Sequence, residues 1–128
     1  RVLPRQTPED FLALQSAADV ILDTPYFSGG NTSYEAFALA KPIVTLDSAF
    51  MRGRVTAGLY RVMDITDLTA SSLEEYVAIA LRLGKERDYN LTLGRRIEEC
   101  RDILYSRQDV VDGFAEFARS VTYKAGPR

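Results

Sequence analysis

The run from Ala18 to Leu46, ADVILDTPYFSGGNTSYEAFALAKPIVTL, constrains the fold most, because it reads as strand, glycine turn, helix and strand. Val20, Ile21 and Leu22 form a short apolar run, as expected for a strand buried on both faces. Ser28, Gly29, Gly30 and Asn31 are too small and flexible to continue it. Thr32 then opens a helical segment, Tyr34 to Ala40, and Thr32 and Glu35 have the spacing of a capping box. Pro42 to Leu46 returns as a second apolar strand. The unit is βαβ, with its glycines at a strand's carboxyl end and a helix's amino end. Free N–H groups and the positive end of the helix dipole converge there, which suits a phosphate or a carboxylate. In open parallel sheets ligands bind outside the carboxyl ends of the strands. A tight turn that needs glycine backbone angles explains the same residues without a ligand. The turn is neither GxGxxG nor a Walker loop, since no Lys-Ser/Thr pair follows Gly30.

The rest of the chain extends this pattern. Arg1 to Leu3 reads as a strand end already under way without an initiator Met, as in a C-terminal piece of a longer protein. Thr7-Pro8-Glu9-Asp10 is a helix start with Thr at the N-cap, Pro at the first helical position and two acids facing the dipole. Phe11, Leu12 and Leu14 would supply the buried face of that helix, which ends near Ala17. Ser48 is placed to cap a helix from Ala49 to about Met63. Arg52 and Arg54 lie near the start of that helix, where cations oppose the dipole. Either they are solvated, or one points to an anion or an acidic neighbour near the glycine turn. Ile65 to Thr69 reads as a short last strand. Ser71-Ser72-Leu73-Glu74-Glu75 carries a doubled capping-box signal. Leu73, Tyr76, Val77, Ala80 and Leu81 then recur at helical spacing, with Gly84 as a stop. A third helix spans about Glu86 to Tyr105, with Tyr89, Leu93, Ile97, Cys100 and Leu104 as its apolar stripe. A last helix runs from about Asp109 to Tyr123, and Val110, Val111, Phe114, Phe117, Ala118 and Val121 are expected to face inward. Ala125 to Arg128 reads as a frayed end.

The fold class expected is α/β: a Rossmann-like parallel sheet followed by C-terminal helices. The 128 residues form one domain, with an α/β layer over residues 1–70 and a helical segment over residues 71–125. Composition narrows the chemistry. A net charge of −2 offers no basic excess for phosphate neutralisation, so nucleic acid is not an expected partner. No apolar run is as long as a membrane helix. The single cysteine, Cys100, fits a reducing compartment such as the cytoplasm. With no histidine in the chain, a zinc site or a Ser-His-Asp triad is not expected, and neither is any metal.

Several segments share one likeness: Ala18-Asp19-Val20-Ile21-Leu22-Asp23-Thr24, the turn Gly29-Gly30-Asn31-Thr32, the helix acid Glu35, Pro42-Ile43-Val44-Thr45, Arg54-Val55 and Glu75-Tyr76-Val77-Ala78-Ile79-Ala80. Together they resemble the C-terminal catalytic region of O-linked N-acetylglucosamine transferases, glycosyltransferase family 41. The resemblance implies a GT-B fold, with two Rossmann-like domains facing a cleft and this chain in the second, nucleotide-sugar-binding one. It implies transfer of a sugar, N-acetylglucosamine in that family, from a UDP-sugar to protein Ser/Thr hydroxyls, without a metal or other cofactor. It also implies an N-terminal Rossmann half and tetratricopeptide repeats elsewhere in the same protein, so that the isolated chain would be inactive. Carried over residue by residue, the diphosphate would lie on Gly29, Gly30, Asn31, Thr32 and Ser33. Glu35 would accept from the ribose hydroxyls, and Arg54 would serve or brace the site. No catalytic residue is assigned. Four positions depart from the family pattern: Asn31 stands for the first Thr of a Thr pair, Gly30 for a His in the turn, and Pro8 and Phe11 for a Lys and a His of the preceding helix. A non-catalytic GT-B-like binding or scaffold module, which has lost the nucleotide-sugar site, is the alternative.

Overall fold

The computed structural model describes residues 2–124, and side-chain surroundings through residue 121. Its centre is a parallel sheet of three short strands in the order β1 (Ile21–Leu22), β2 (Ile43–Leu46) and β3 (Thr69–Ala70). Ile21 pairs with Ile43 and Leu22 with Val44, while Thr45 pairs with Thr69 and Leu46 with Ala70. The βαβ order of the central stretch therefore holds, but β1 is an edge strand with Leu22 60% exposed, not one buried on both faces. The strand expected at the amino end is not part of this sheet: Val2 is 96% exposed, and no strand lies between residues 2 and 6. Arg1 and the expected frayed end at Ala125 to Arg128 lie outside the described residues.

Helix α1 (Pro8–Ala17) starts as expected, with Thr7 Oγ1 accepting from the Asp10 N–H at 3.2 Å. Its inward face differs from the expected one. Gln15 is buried, while Leu12 and Leu14 are 38% and 42% exposed. Phe11 and Gln15 stand one turn apart and share a helix face, so the face turned to the next helix carries an amide that apolar patterning does not register.

Helix α2 (Asn31–Ala38) begins earlier than the capping-box spacing predicts. The Gly30 carbonyl accepts from the N–H groups of Ser33 and Tyr34, at 3.0 and 3.3 Å. That closes the first turn on Gly30 and places Thr32 inside it, where its side chain does not cap. The helix ends in a Schellman arrangement, with the Lys41 N–H on the Ala36 carbonyl and the Ala40 N–H on that of Phe37.

The helix expected from Ala49 divides into a 3-10 turn, Met51–Gly53, and α3 (Val55–Val62). Ser48 Oγ accepts from the Phe50 N–H ahead of the short turn, but it caps neither that turn nor α3, whose N-cap positions are Phe50 and Arg54. The last strand falls on Thr69 and Ala70, later than Ile65 to Thr69; Ile65 is buried outside the strand, and the Leu68 carbonyl accepts from the Thr45 N–H at 3.0 Å just before it. Helix α4 (Leu73–Lys85) realises the doubled capping signal. Ser72 Oγ accepts from the Glu75 N–H, and Glu75 Oε2 accepts from both the N–H and the hydroxyl of Ser71. Those bonds hold the Glu75 carboxyl below its ordinary range. The helix runs through Gly84, which is not its stop. Helix α5 (Arg87–Cys100) packs Leu93 and Ile97 into the core and tightens into a 3-10 turn at Arg101–Leu104 before reaching Tyr105.

The core joins α2, the sheet and α3 to α5 through Phe37, Ile43, Val44, Tyr60, Leu68, Leu83, Leu93 and Ile97. Helix α6 (Gln108–Lys124) contributes no residue to that core among the described residues. Val110, Val111, Phe114, Phe117 and Val121 are each more than half exposed, and Ala118 is exposed too. The inward-facing stripe expected there is thus corrected. Amphipathic spacing shows that a face is apolar; it does not show what covers it.

Candidate functional site

The glycine turn lies between the carboxyl end of β1 and the amino end of α2, where the βαβ reading places it. Beneath it is a carboxylate. Asp23, 7% exposed, accepts from the Ser28 hydroxyl at 2.6 Å, the Gly29 N–H at 2.7 Å and the Thr45 hydroxyl at 2.7 Å. Ser28 Oγ also accepts from the Thr56 N–H at 3.0 Å and lies 2.9 Å from Thr56 Oγ1, which lies 2.8 Å from Ser33 Oγ. The Ser28 N–H donates to the Arg52 carbonyl, and the Tyr76 hydroxyl donates to the Asp23 carbonyl from α4. The turn is therefore tied to β1, β2, α3 and α4 by buried polar contacts.

This bracing decides which donors face outward. The Gly29 N–H is used by Asp23. The Ser33 N–H is used by the Gly30 carbonyl, and Ser33 itself is buried. The N–H groups of Gly30, Asn31 and Thr32 have no hydrogen-bond partner among the described residues, nor have the side chains of Asn31 and Thr32. These free donors sit at the positive end of α2. Gly29 is required by space: a Cβ there would lie 2.5 Å from Ser33 Oγ and 2.7 Å from Thr32 Oγ1. At Gly30 a Cβ would meet nothing within 4 Å, so that position opens outward.

Two depressions flank the amino end of α2 and share Thr32. One, about 310 Å³, is lined by Asp23, Phe27, Ser28, Gly29, Gly30 and Ser33. The other, about 610 Å³, lies against α1 and the segment before it, and takes in Pro8, Phe11, Leu14, Asn31 and Glu35. The structure thus brings Gly29 to Ser33 and Glu35 together, and it sets Pro8 and Phe11 on the wall facing Glu35. Arg54 is not on either wall. It is exposed at the N-cap of α3, and its guanidinium has no partner among the described residues. Arg52 lies over the Phe50 ring, 4.9 Å from its centroid. A third depression, about 420 Å³, opens by Asp19, Lys41 and Arg87 at the amino ends of β1 and β2. No group of three or more potential metal ligands occurs among the described residues. No helix among them is long and apolar enough to cross a membrane.

Sequence reasoning missed two features of this site. Among the described residues Arg5 is the one cation lining the two depressions at α2, and no local pattern marks it. Asp23, Ser28, Thr45 and Thr56 form the polar support. A lone carboxylate ending an apolar strand just before a glycine turn was the available signal for Asp23.

The glycosyl transferase family 41 profile matches residues 6–108 of the chain. A UDP-N-acetylglucosamine–peptide N-acetylglucosaminyltransferase of Caenorhabditis elegans is 32% identical over 81 residues, 63% of this chain and 7% of that protein. A probable enzyme of the same description, SPINDLY of Solanum lycopersicum, is 27% identical over 112 residues, 88% of this chain and 12% of that one. Among solved structures, a lysine-to-methionine mutant of the Thermobaculum terrenum O-GlcNAc transferase superposes with a TM-score of 0.74 at 36% identity, covering 91% of this chain and 22% of that one. The chain spans about a tenth of the length of the curated relatives it matches, 7% and 12% for these two. The α/β class, with a parallel sheet followed by helices, agrees with the GT-B catalytic region of these relatives.

Proposed function

The chain belongs to glycosyl transferase family 41, and on that premise we propose that it is the donor-binding part of a protein glycosyltransferase. The donor is a UDP-sugar, N-acetylglucosamine being the sugar named in the relatives' descriptions. The acceptors are protein Ser/Thr hydroxyls. In the reaction the bond from the anomeric carbon to the diphosphate oxygen breaks, the acceptor hydroxyl bonds to that carbon through its oxygen and releases its proton to solvent or the leaving diphosphate, and UDP leaves. This chain's contribution is electrostatic: donors already in place stabilise the charge that develops on the diphosphate. The acceptor side of the cleft belongs to an N-terminal Rossmann half of the same protein, with tetratricopeptide repeats before it. The protein works in the cytoplasm and needs no metal or other cofactor.

The observation that carries this reading is the set of unused donors at α2. The N–H groups of Gly30, Asn31 and Thr32 converge there, with the Thr32 hydroxyl and the Asn31 amide beside them. Glu35 stands on the wall next to them, about 5 Å along the helix, where ribose hydroxyls reach it. Gly29 and Ser33 shape the turn, and Arg54, exposed at the N-cap of α3, is assigned to close on the diphosphate from outside the two depressions. Transfer of labelled sugar from UDP-N-acetylglucosamine to acceptor proteins by the full-length protein tests the proposal. An Asn31→Ala, Thr32→Ala double variant is expected to lose most of that transfer; equal transfer by both proteins overturns the assignment.

One observation favours a second reading. Pro8 and Phe11 form an apolar wall opposite Glu35, and Gly30 presents no side chain. A binding or scaffold module with a vacated nucleotide site accounts for these positions. Full-length protein that neither binds UDP nor transfers sugar is its expected signature.

A further inference from the structure

Buried carboxylates are costly unless hydrogen bonds or opposite charges compensate them. Asp23 has no ion-pair partner among the described residues; it has the three donors on Ser28, Gly29 and Thr45. We infer that Asp23 is the positioning residue of the glycine turn, fixing from beneath which donors the turn offers to the diphosphate. The inference rests on the donor-binding reading above.

A carboxylate only accepts, and a hydroxyl has one proton to give and two lone pairs. Ser28 gives its proton to Asp23, so it meets Thr56 only as an acceptor, for the Thr56 N–H and then for the Thr56 hydroxyl. With its own proton spent, Thr56 Oγ1 accepts from Ser33. Each proton in the chain from Ser33 through Thr56 to Ser28 thus points toward Asp23. Two consequences reach the ligand. Ser33, although it is in the first turn of α2, has no proton left to donate outward. Gly29 is held by its N–H to Asp23 Oδ1, which leaves the next three N–H groups, on Gly30, Asn31 and Thr32, as the outward set. The remaining tie is Thr45, which anchors the carboxylate to β2, so the turn is referenced to two strands of the sheet.

Asp23→Asn is close in shape and tests the role. Its carbonyl oxygen can still accept from Gly29, but without the charge. Its amide donates to Ser28 and Thr45, which reverses the chain of protons. The full-length protein, selectively 15N-labelled at glycine, gives one readout and UDP titration calorimetry the other. In the parent protein the Gly29 amide proton is expected downfield, as for an N–H on a carboxylate. In Asp23→Asn it should move upfield, while glycines distant from the turn, such as Gly84, stay in place. UDP binding should weaken about tenfold, the scale of one charge-assisted hydrogen bond. If Asp23→Asn does not fold, Thr45→Val, which loosens the carboxylate from β2, should move the Gly29 amide the same way and weaken UDP binding about threefold. A folded variant with an unmoved Gly29 amide, or with parental UDP affinity, overturns the role and leaves the donor-binding function standing. A parent protein that binds no UDP overturns both.

Discussion

Tyr60 closes both backbone polar groups of Ile43. Its hydroxyl accepts from the Ile43 N–H at 2.8 Å and donates to the Ile43 carbonyl at 2.9 Å. Ile43 begins β2, and among the described residues no strand takes these two groups. Burial holds the Tyr60 phenol far above its ordinary range. Tyr60→Phe strands a buried donor and a buried acceptor, so it should cost about 2–3 kcal/mol, read as a lower urea midpoint at unchanged slope. The pH dependence has a definite sign. In the unfolded chain the phenol ionises near pH 10.0, whereas in the folded chain it stays protonated. The contribution is complete below pH 10 and is lost as pH rises above it, at up to about 1.4 kcal/mol per pH unit from this group. Tyr60→Phe should flatten that alkaline decline.

Ala40 occupies the left-handed position that ends α2, with φ of 56°. Glycine is the usual residue there because it lacks a Cβ. Relief of left-handed strain is worth about 1–2 kcal/mol, and the added freedom of the unfolded chain returns about 0.4–1 kcal/mol. Ala40→Gly should therefore stabilise the chain by about 0.5–1 kcal/mol. Thermal unfolding checks it, and a lower midpoint would contradict the strain argument.

The two glycines of the turn should respond differently. At Gly29 a methyl group meets Ser33 Oγ and Thr32 Oγ1 at 2.5 and 2.7 Å, and Ser33 cannot swing away without leaving Thr56. At Gly30 it meets open space. Gly29→Ala should cost at least about 1 kcal/mol more stability than Gly30→Ala, measured by paired denaturant titrations. Equal costs would show that the turn adapts freely.

Arg54 is a test of reach. Its guanidinium is exposed and without a partner among the described residues, on the element that braces Ser28. If it closes on the diphosphate, Arg54→Ala in the full-length protein should weaken UDP binding by about threefold or more, and by less at high salt. Unchanged affinity would leave Arg54 a solvated residue.

The parts of this molecule legible from sequence are those set by local rules. Parallel pairing of Ile21 and Ile43 followed from the βαβ alternation, and the Ser72 and Glu75 cap followed from residue spacing. The apolar stripe through Leu93 and Ile97 followed from helical period. Failures came where tertiary contacts outvoted local preference. Thr32 has cap spacing, yet the Gly30 carbonyl takes the first helical bonds and moves the start of α2. Gln15 is buried by its neighbours on α2, and Phe114 and Phe117 of α6 are exposed despite their pattern. In the site, the glycines and Thr32 were visible because special backbone geometry needs particular residue types. The Asp23 network was not, because Ser28, Thr45 and Thr56 come together only once β1, β2 and α3 are packed.

The central claim is that the amino end of α2 holds a nucleoside diphosphate, and titration of the 15N-labelled 128-residue chain with UDP tests it most directly. The expected result is a saturable shift of the Gly30 to Glu35 amides with a Kd of about 0.1–1 mM, weak because the proposed architecture puts the other half of the cleft in an N-terminal domain. The shift should vanish in the Asn31→Ala, Thr32→Ala double variant. Amides that stay in place up to about 10 mM UDP, a tenfold excess over the weakest affinity expected, or that shift equally in the double variant, would contradict the account.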